Sequence, residues 1–215
     1  KIVKKDIKDI KIALSGPGAA GTAITKLLLE VGVKDMVLVD KGGILYRGRE
    51  DLDSAKQELA RITNKENIKG GLKEAMQGAD VFIGVSAANI VSQDMIKSMN
   101  SNPVVFALAN PVPEIMPDLA LEAGAAVVGT GRSDFANQIN NVLAFPAVFK
   151  GALSVRAKRI SQGMKIAAAY ALASLIDESE LKPDYIIPNV FDRRVCEHVS
   201  SAVAQQAIKE GLNRI

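Results

Sequence analysis

The chain has 215 residues, 48% of them hydrophobic and 24% charged, with a formal net charge of +3. That composition belongs to a folded protein with a sizeable core, and its weak, scattered basicity argues against nucleic acid or a membrane surface as partner. A single cysteine, Cys196, excludes an internal disulfide, no apolar run reaches membrane-spanning length and no signal-peptide pattern is visible, so a cytoplasmic protein is expected.

Residues 1–10 read as a linker from a preceding domain that is missing from this chain, because the first strand pattern begins at Lys11. Lys11–Ser15 is an apolar strand that runs into Gly16-Pro17-Gly18-Ala19-Ala20-Gly21. A helical pattern over Ala19–Val31 follows, and then a second strand, Met36–Asp40. Strand, glycine turn, helix and acid together form a dinucleotide-binding fingerprint. Gly16 permits the tight turn, Gly18 lets a pyrophosphate approach the backbone, and Gly21 lets the helix pack closely on the strand. Pro17, Ala19 and Ala20 belong to the same cofactor-binding turn, at the positive end of the helix dipole. Asp40 lies nineteen residues after Gly21, near the spacing of an acid that bonds the adenine ribose hydroxyls. A carboxylate there favours NAD over NADP, while Lys41, Arg47 and Arg49 close behind keep NADP open.

Further strands are expected at Val81–Val85, Val104–Ala109 and Ala126–Gly129, with helices at Leu52–Ile62, Leu72–Met76, Gln93–Met99 and Asp118–Glu122. Short apolar strands separated by helices predict a doubly wound, Rossmann-like parallel sheet of α/β class with helices on both faces. The core is expected over 11–150. After a polar loop and an apolar turn, Leu143–Phe149, residues 151–215 are read as a helical extension packing on that core. Its helices are an Ala-rich one, Val155–Ile176, and an amphipathic one, Arg193–Glu210.

Ligands of such sheets lie beyond the carboxyl ends of the strands. Ser86 and Ala87, after the third parallel strand, are small enough for ribose or nicotinamide to approach the backbone, though a plain helix start capped by Ser92 reads equally well. Asn110, in the stiff run Asn110-Pro111-Val112-Pro113-Glu114, offers a donor and an acceptor to a carboxamide or carboxylate; it also suits a turn before proline. Asn137, Gln138, Asn140 and Asn141 place four amides within five residues. They suit either a bound acid or a helix start capped by Asn140 or Asn141. Glu114, Asp134 and Asp192 lack metal-ligand spacing and read as loop solvation or capping. His198, Cys196 and Tyr170 read as helix surface or packing, and Arg156, Lys158 and Arg159 as a solvated face.

The runs GPGAAG, LVDKGG, GVSAAN, FALANPVPE, TGRSDFANQINNVLAFPAVFKGAL and IIPNVF resemble the NAD-binding domain of malic enzymes of the compact bacterial type, over nearly the whole chain from Lys11 onward. The resemblance implies oxidative decarboxylation of (S)-malate to pyruvate with NAD(P) and Mg2+ or Mn2+. It places Asn110 near nicotinamide and malate, and Asn140 or Asn141 on malate. It also implies an N-terminal malic domain that supplies a catalytic lysine and tyrosine and most of the metal's carboxylates; no catalytic or metal-ligating residue is assigned to this chain. A homo-oligomer is expected. The glycine fingerprint taken alone also fits a non-catalytic NAD-binding regulatory module, or the nucleotide domain of another two-domain dehydrogenase.

Overall fold

Side chains alternate along a strand, and here the alternation sorts them into two cores, one on each face of a sheet. In the computed structural model, which describes residues 1–214, Ile12 and Leu14 of β1 (Lys11–Ser15) enter one core and Ala13 the other. β2 (Asp35–Asp40) repeats the pattern, with Met36 and Leu38 on the first side and Val37 and Val39 on the second. The first core is closed by α1 (Ala19–Glu30) and α2 (Ser54–Ile62), through Ile24, Leu28, Leu59 and Ala60. The second is closed by α3 (Leu72–Met76), α4 (Gln93–Lys97) and α5 (Pro117–Glu122), through Ala75, Met76, Ile96 and Ala120. A sheet apolar on both faces has to be sandwiched in this way.

With β3 (Gly43–Ile44), β4 (Val81–Gly84), β5 (Val104–Ala107) and β6 (Val127–Thr130), the sheet runs in the order β3-β2-β1-β4-β5-β6. All its pairings are parallel except β2–β3. The expected doubly wound α/β fold is therefore present, with an antiparallel two-residue edge strand that sequence periodicity did not announce. The order reverses between β1 and β4, and that is where a crevice opens.

The chain divides into two compact units, Lys1–Ala136 and a second that begins at Asn137. The sequence reading had drawn its boundary at 150/151. In the second unit α6 (Phe145–Ser154) and α7 (Gln162–Ala173) both pack on α8 (Arg193–Lys209). The expected Val155–Ile176 helix is thus corrected. Helix already runs through the supposed apolar turn, stops where Arg156 takes a left-handed backbone (φ 48°), and restarts once Ser161 caps α7 by accepting from the Met164 N–H at 3.1 Å. Asp192 caps α8, accepting from the Arg194 N–H at 2.9 Å. α6 and α8 approach so closely that a Cβ on Gly151 would lie 2.4 Å from the Ser200 carbonyl oxygen.

The first ten residues are tied to the sheet by one buried acid. Asp80 accepts from Lys5 Nζ at 2.6 Å, the Lys11 N–H at 2.9 Å and Asn100 Nδ2 at 2.9 Å. Burial pushes its carboxyl up, but the Lys5 ammonium, the Lys11 N–H and the Asn100 amide outweigh burial and hold it below the usual carboxylate range. A depressed folded-state pKa contributes stability above the unfolded value and loses it as pH falls through the folded one. Acidification from neutrality to below about pH 3.9, the ordinary aspartate value, is therefore expected to destabilise the wild type more than Asp80→Asn. Urea unfolding at both pH values checks this, and equal losses would contradict it.

Candidate functional site

The glycine turn is shaped by what it must avoid. Gly16 has φ +94°, and a Cβ there would lie 2.5 Å from the Val85 carbonyl oxygen. A Cβ on Gly21 would lie 2.2 Å from the Gly16 carbonyl oxygen. Those two positions let the chain turn off β1, pass the end of β4 and start α1 directly over the strand. The turn is fastened on both sides, by the Gly16 N–H to the Val39 carbonyl at 2.9 Å and by Ser15 Oγ and Ser86 Oγ at 2.9 Å from each other.

Gly18 is different. No protein atom lies within 4 Å of where its Cβ would be. It precedes α1 as an N-cap that makes no side-chain hydrogen bond, and the first N–H groups of a helix have no intrahelical acceptors. Gly18 borders a cleft of about 520 Å³ lined by Gly16, Pro17, Asp40, Lys56, Ser86 and Ala87, among others. The structure thus brings Gly16, Pro17 and Gly18 of the expected turn together with Asp40, Ser86 and Ala87 around one cavity, while Ala19, Ala20 and Gly21 are outside its lining. It suits a diphosphate: N–H donors, a positive helix end and room against bare backbone.

Asp40 sits at the mouth of this cleft with both oxygens engaged. Arg49 Nη1 lies 2.9 Å from Oδ1, Lys56 Nζ 2.6 Å from Oδ2, and the Gly42 N–H donates to Oδ1 at 2.9 Å. Burial pushes the Asp40 carboxyl up, yet Lys56, Arg49 and the Gly42 N–H hold it below the ordinary range. It therefore stays an ionised acceptor at neutral pH. Arg49 is itself clamped by Asp51, through Nε to Oδ1 at 2.7 Å and Nη2 to Oδ2 at 2.8 Å, and these bonds with the Asp40 charge push its pKa up against the effect of burial. Arg49, which the sequence suggests as one of three cations that keep NADP open, is the ion-pair partner of Asp40. Lys56 was missed altogether, since it reaches Asp40 from the next helix rather than the next loop.

Asn110 is exposed just beyond β5, its amide nitrogen 3.5 Å from the Leu108 carbonyl and 3.3 Å from where a Cβ on Gly131 would be. Four residues on, the structure corrects the sequence reading. Glu114 is neither loop solvation nor a helix cap. It is fully buried, accepting from the Ser86 N–H at 2.8 Å and the Ala109 N–H at 3.0 Å. The alternative reading of Ser92 is also realised, since it caps α4 by accepting from the Met95 N–H at 3.3 Å.

In the second unit the amide cluster has mixed duties. Asn137 is buried, donating to the Pro183 carbonyl at 2.8 Å and accepting from the Ile186 N–H at 2.9 Å, so it pins the connector before α8. Asn140 caps the 3-10 turn Asn141–Leu143 by accepting from the Val142 N–H at 3.0 Å. That engages its oxygen and leaves its amide NH2 as the group available to a ligand. Asn141 is exposed. Among the described residues no group of three or more His, Cys, Asp or Glu side chains is placed to hold a metal ion, and no helix is long and apolar enough to cross a membrane.

Comparison with known proteins agrees with this geometry. The family model described as malic enzyme, NAD binding domain, matches residues 1–208. The chain is 52% identical over its whole length to a bifunctional malic/malolactic enzyme of Bacillus subtilis, covering 53% of that protein. It is 50% identical, again over its whole length, to an NAD-dependent malic enzyme of Geobacillus stearothermophilus, covering 45% of it. Among solved structures, the NAD-dependent malic enzyme of Thermotoga maritima superposes with a TM-score of 0.90 at 48% identity, over 94% of this chain and 53% of that one. The chain spans about half the length of the curated relatives it matches. The glycine turn, the acid at the end of β2 and these matches lead to one conclusion: the chain belongs to the family of malic enzyme NAD-binding domains.

Proposed function

We propose that this chain is the nucleotide half of an enzyme that oxidises and decarboxylates (S)-malate to pyruvate and carbon dioxide, reducing NAD(P) and using Mg2+ or Mn2+. The observation that carries the reading is the cleft at the strand-order reversal, where bare Gly18, the first turn of α1 and ionised Asp40 converge. The residues fit a dinucleotide: Gly16, Pro17, Gly18, Ala19, Ala20 and Gly21 for the pyrophosphate, Asp40 for the adenine ribose, Ser86, Ala87 and Asn110 for the nicotinamide side. A dinucleotide held there would supply the acceptor for the hydride from the malate carbinol carbon. Asn110 offers an amide to a carboxylate or the hydroxyl of malate, and the resemblance separately assigns Asn140 or Asn141 to malate.

The described residues do not by themselves fit the metal, which is assigned mainly to an N-terminal malic domain along with the acid–base lysine and tyrosine. That the chain spans about half of its relatives supports this division. The lone cysteine and the lack of a membrane-spanning helix among the described residues support a cytoplasmic enzyme, and the resemblance supports a homo-oligomer. NAD is the favoured cofactor because Asp40 is held ionised where a 2′-phosphate would lie, while Lys56 and Arg49 beside it keep NADP admissible.

Incubation of the full-length protein with malate, Mn2+ and NAD should form NADH and pyruvate; no turnover with either dinucleotide would defeat the proposal. Gly18→Val should leave the folding free energy within about 1 kcal/mol of wild type, since it meets no protein atom, while weakening NAD binding by about tenfold or more. Calorimetric titration alongside urea unfolding checks this, and unchanged affinity would contradict it. Asp40→Ala releases two cations from their carboxylate. It should shift the ratio of NADP to NAD affinity toward NADP by about tenfold or more; a ratio that stays put would count against the ribose assignment.

A further inference from the structure

We propose that Glu114 is the positioning residue for the nicotinamide side of the cleft, locking the loops after β4 and β5 to one another; the assignment rests on the cofactor reading above. Ser86 belongs to the loop after β4, and Ala109 directly precedes Asn110 after β5. One oxygen of the Glu114 carboxylate accepts the Ser86 N–H at 2.8 Å and the other the Ala109 N–H at 3.0 Å, with Ser86 Oγ 3.3 Å from the first. The backbone joins the same loops through the Asn89 N–H to the Pro113 carbonyl and the Val91 N–H to the Glu114 carbonyl, both at 3.0 Å. Five hydrogen bonds thus fix where Ser86, Ala87 and Asn110 stand.

Solvation cannot explain a carboxylate taken wholly out of water, which needs compensating donors. The fold reserves a place for it: a Cβ on Gly84, the last residue of β4, would lie 2.3 Å from Glu114 Cδ. The donor pattern also selects the residue type. Two N–H groups on separate strand ends require two acceptor oxygens on one head, which a carboxylate has. Glutamine has one, and would turn its NH2 against the second N–H. Each half of a doubly wound sheet serves one nucleotide of the cofactor. Asp40 belongs to the adenosine half. The Glu114 carboxylate accepts from Ser86 and Ala109, beyond β4 and β5 of the other half. Its loss should therefore loosen the grip on the nicotinamide mononucleotide while sparing the adenosine end.

The test compares NAD+ with ADP, which carries only the adenosine end, by calorimetric titration of the full-length enzyme and its Glu114→Gln variant, with kcat and KM for malate measured in parallel. The variant should bind ADP within about twofold of wild type, bind NAD+ about tenfold or more weakly, and lose kcat. Glu114→Asp keeps both acceptors on a shorter stem and should fall between the two; it carries the same comparison if the glutamine variant does not fold. Unchanged NAD+ affinity would overturn the proposal. So would equal losses of NAD+ and ADP, which mark a general support of the fold. A wild-type enzyme that binds neither ligand would sink the cofactor reading itself, and this assignment with it.

Discussion

The chain has to pass between the ends of β1 and β4 where there is no room for a side chain. Gly16 and Gly21 satisfy that constraint, each with a would-be Cβ 2.5 Å or less from a backbone oxygen. Because they do, α1 starts at the strand-order reversal, directly after Gly18, which lines the cleft. Gly18, between them, meets nothing. Packing sets no demand for a glycine there, and the proposed pyrophosphate would supply one. The same turn therefore holds two residues required by packing and one that packing does not require, and the two kinds are separable by geometry.

Two carboxylates divide the rim of the sheet and are stabilised in opposite ways. Asp40 lines the cleft between two cations, which keep it charged and fix its direction, and with the Gly42 N–H also bound about one acceptor site remains for a hydroxyl group. Glu114 lies in the interior and is matched by backbone N–H groups instead. The first arrangement holds an acid at the cleft lining; the second uses an acid to tie two loops together.

The parallel strands were legible in the sequence because burial on both faces leaves short apolar runs with nothing polar to interrupt them, and the glycine fingerprint came with its strand, helix and acid in place. β3 was not, since a two-residue strand has no periodicity. The helix expected over Val155–Ile176 failed for another reason: alanine-rich composition reads as continuous helix and hides both the left-handed turn at Arg156 and the cap at Ser161. At the site, small residues such as Ser86 and Ala87 could be placed because position beyond a strand end is a local property. Glu114 could not, because its meaning depends on the space left by Gly84 thirty residues earlier. Arg49 and Lys56 were opaque in the same way: which carboxylate a cation meets is decided by how a loop and a helix fold back. The asparagines were ambiguous in kind, and Asn140 shows why, since one amide can cap a turn with its oxygen and still offer its nitrogen.

The most direct test of the central claim is a crystal structure of the protein with NAD+ bound. The pyrophosphate should lie within hydrogen-bond distance of the N–H groups of Gly18, Ala19 and Ala20, with the adenine ribose hydroxyls on Asp40 and the nicotinamide beside Ser86 and Asn110. Dinucleotide density elsewhere, or phosphates turned away from the start of α1, would contradict the account.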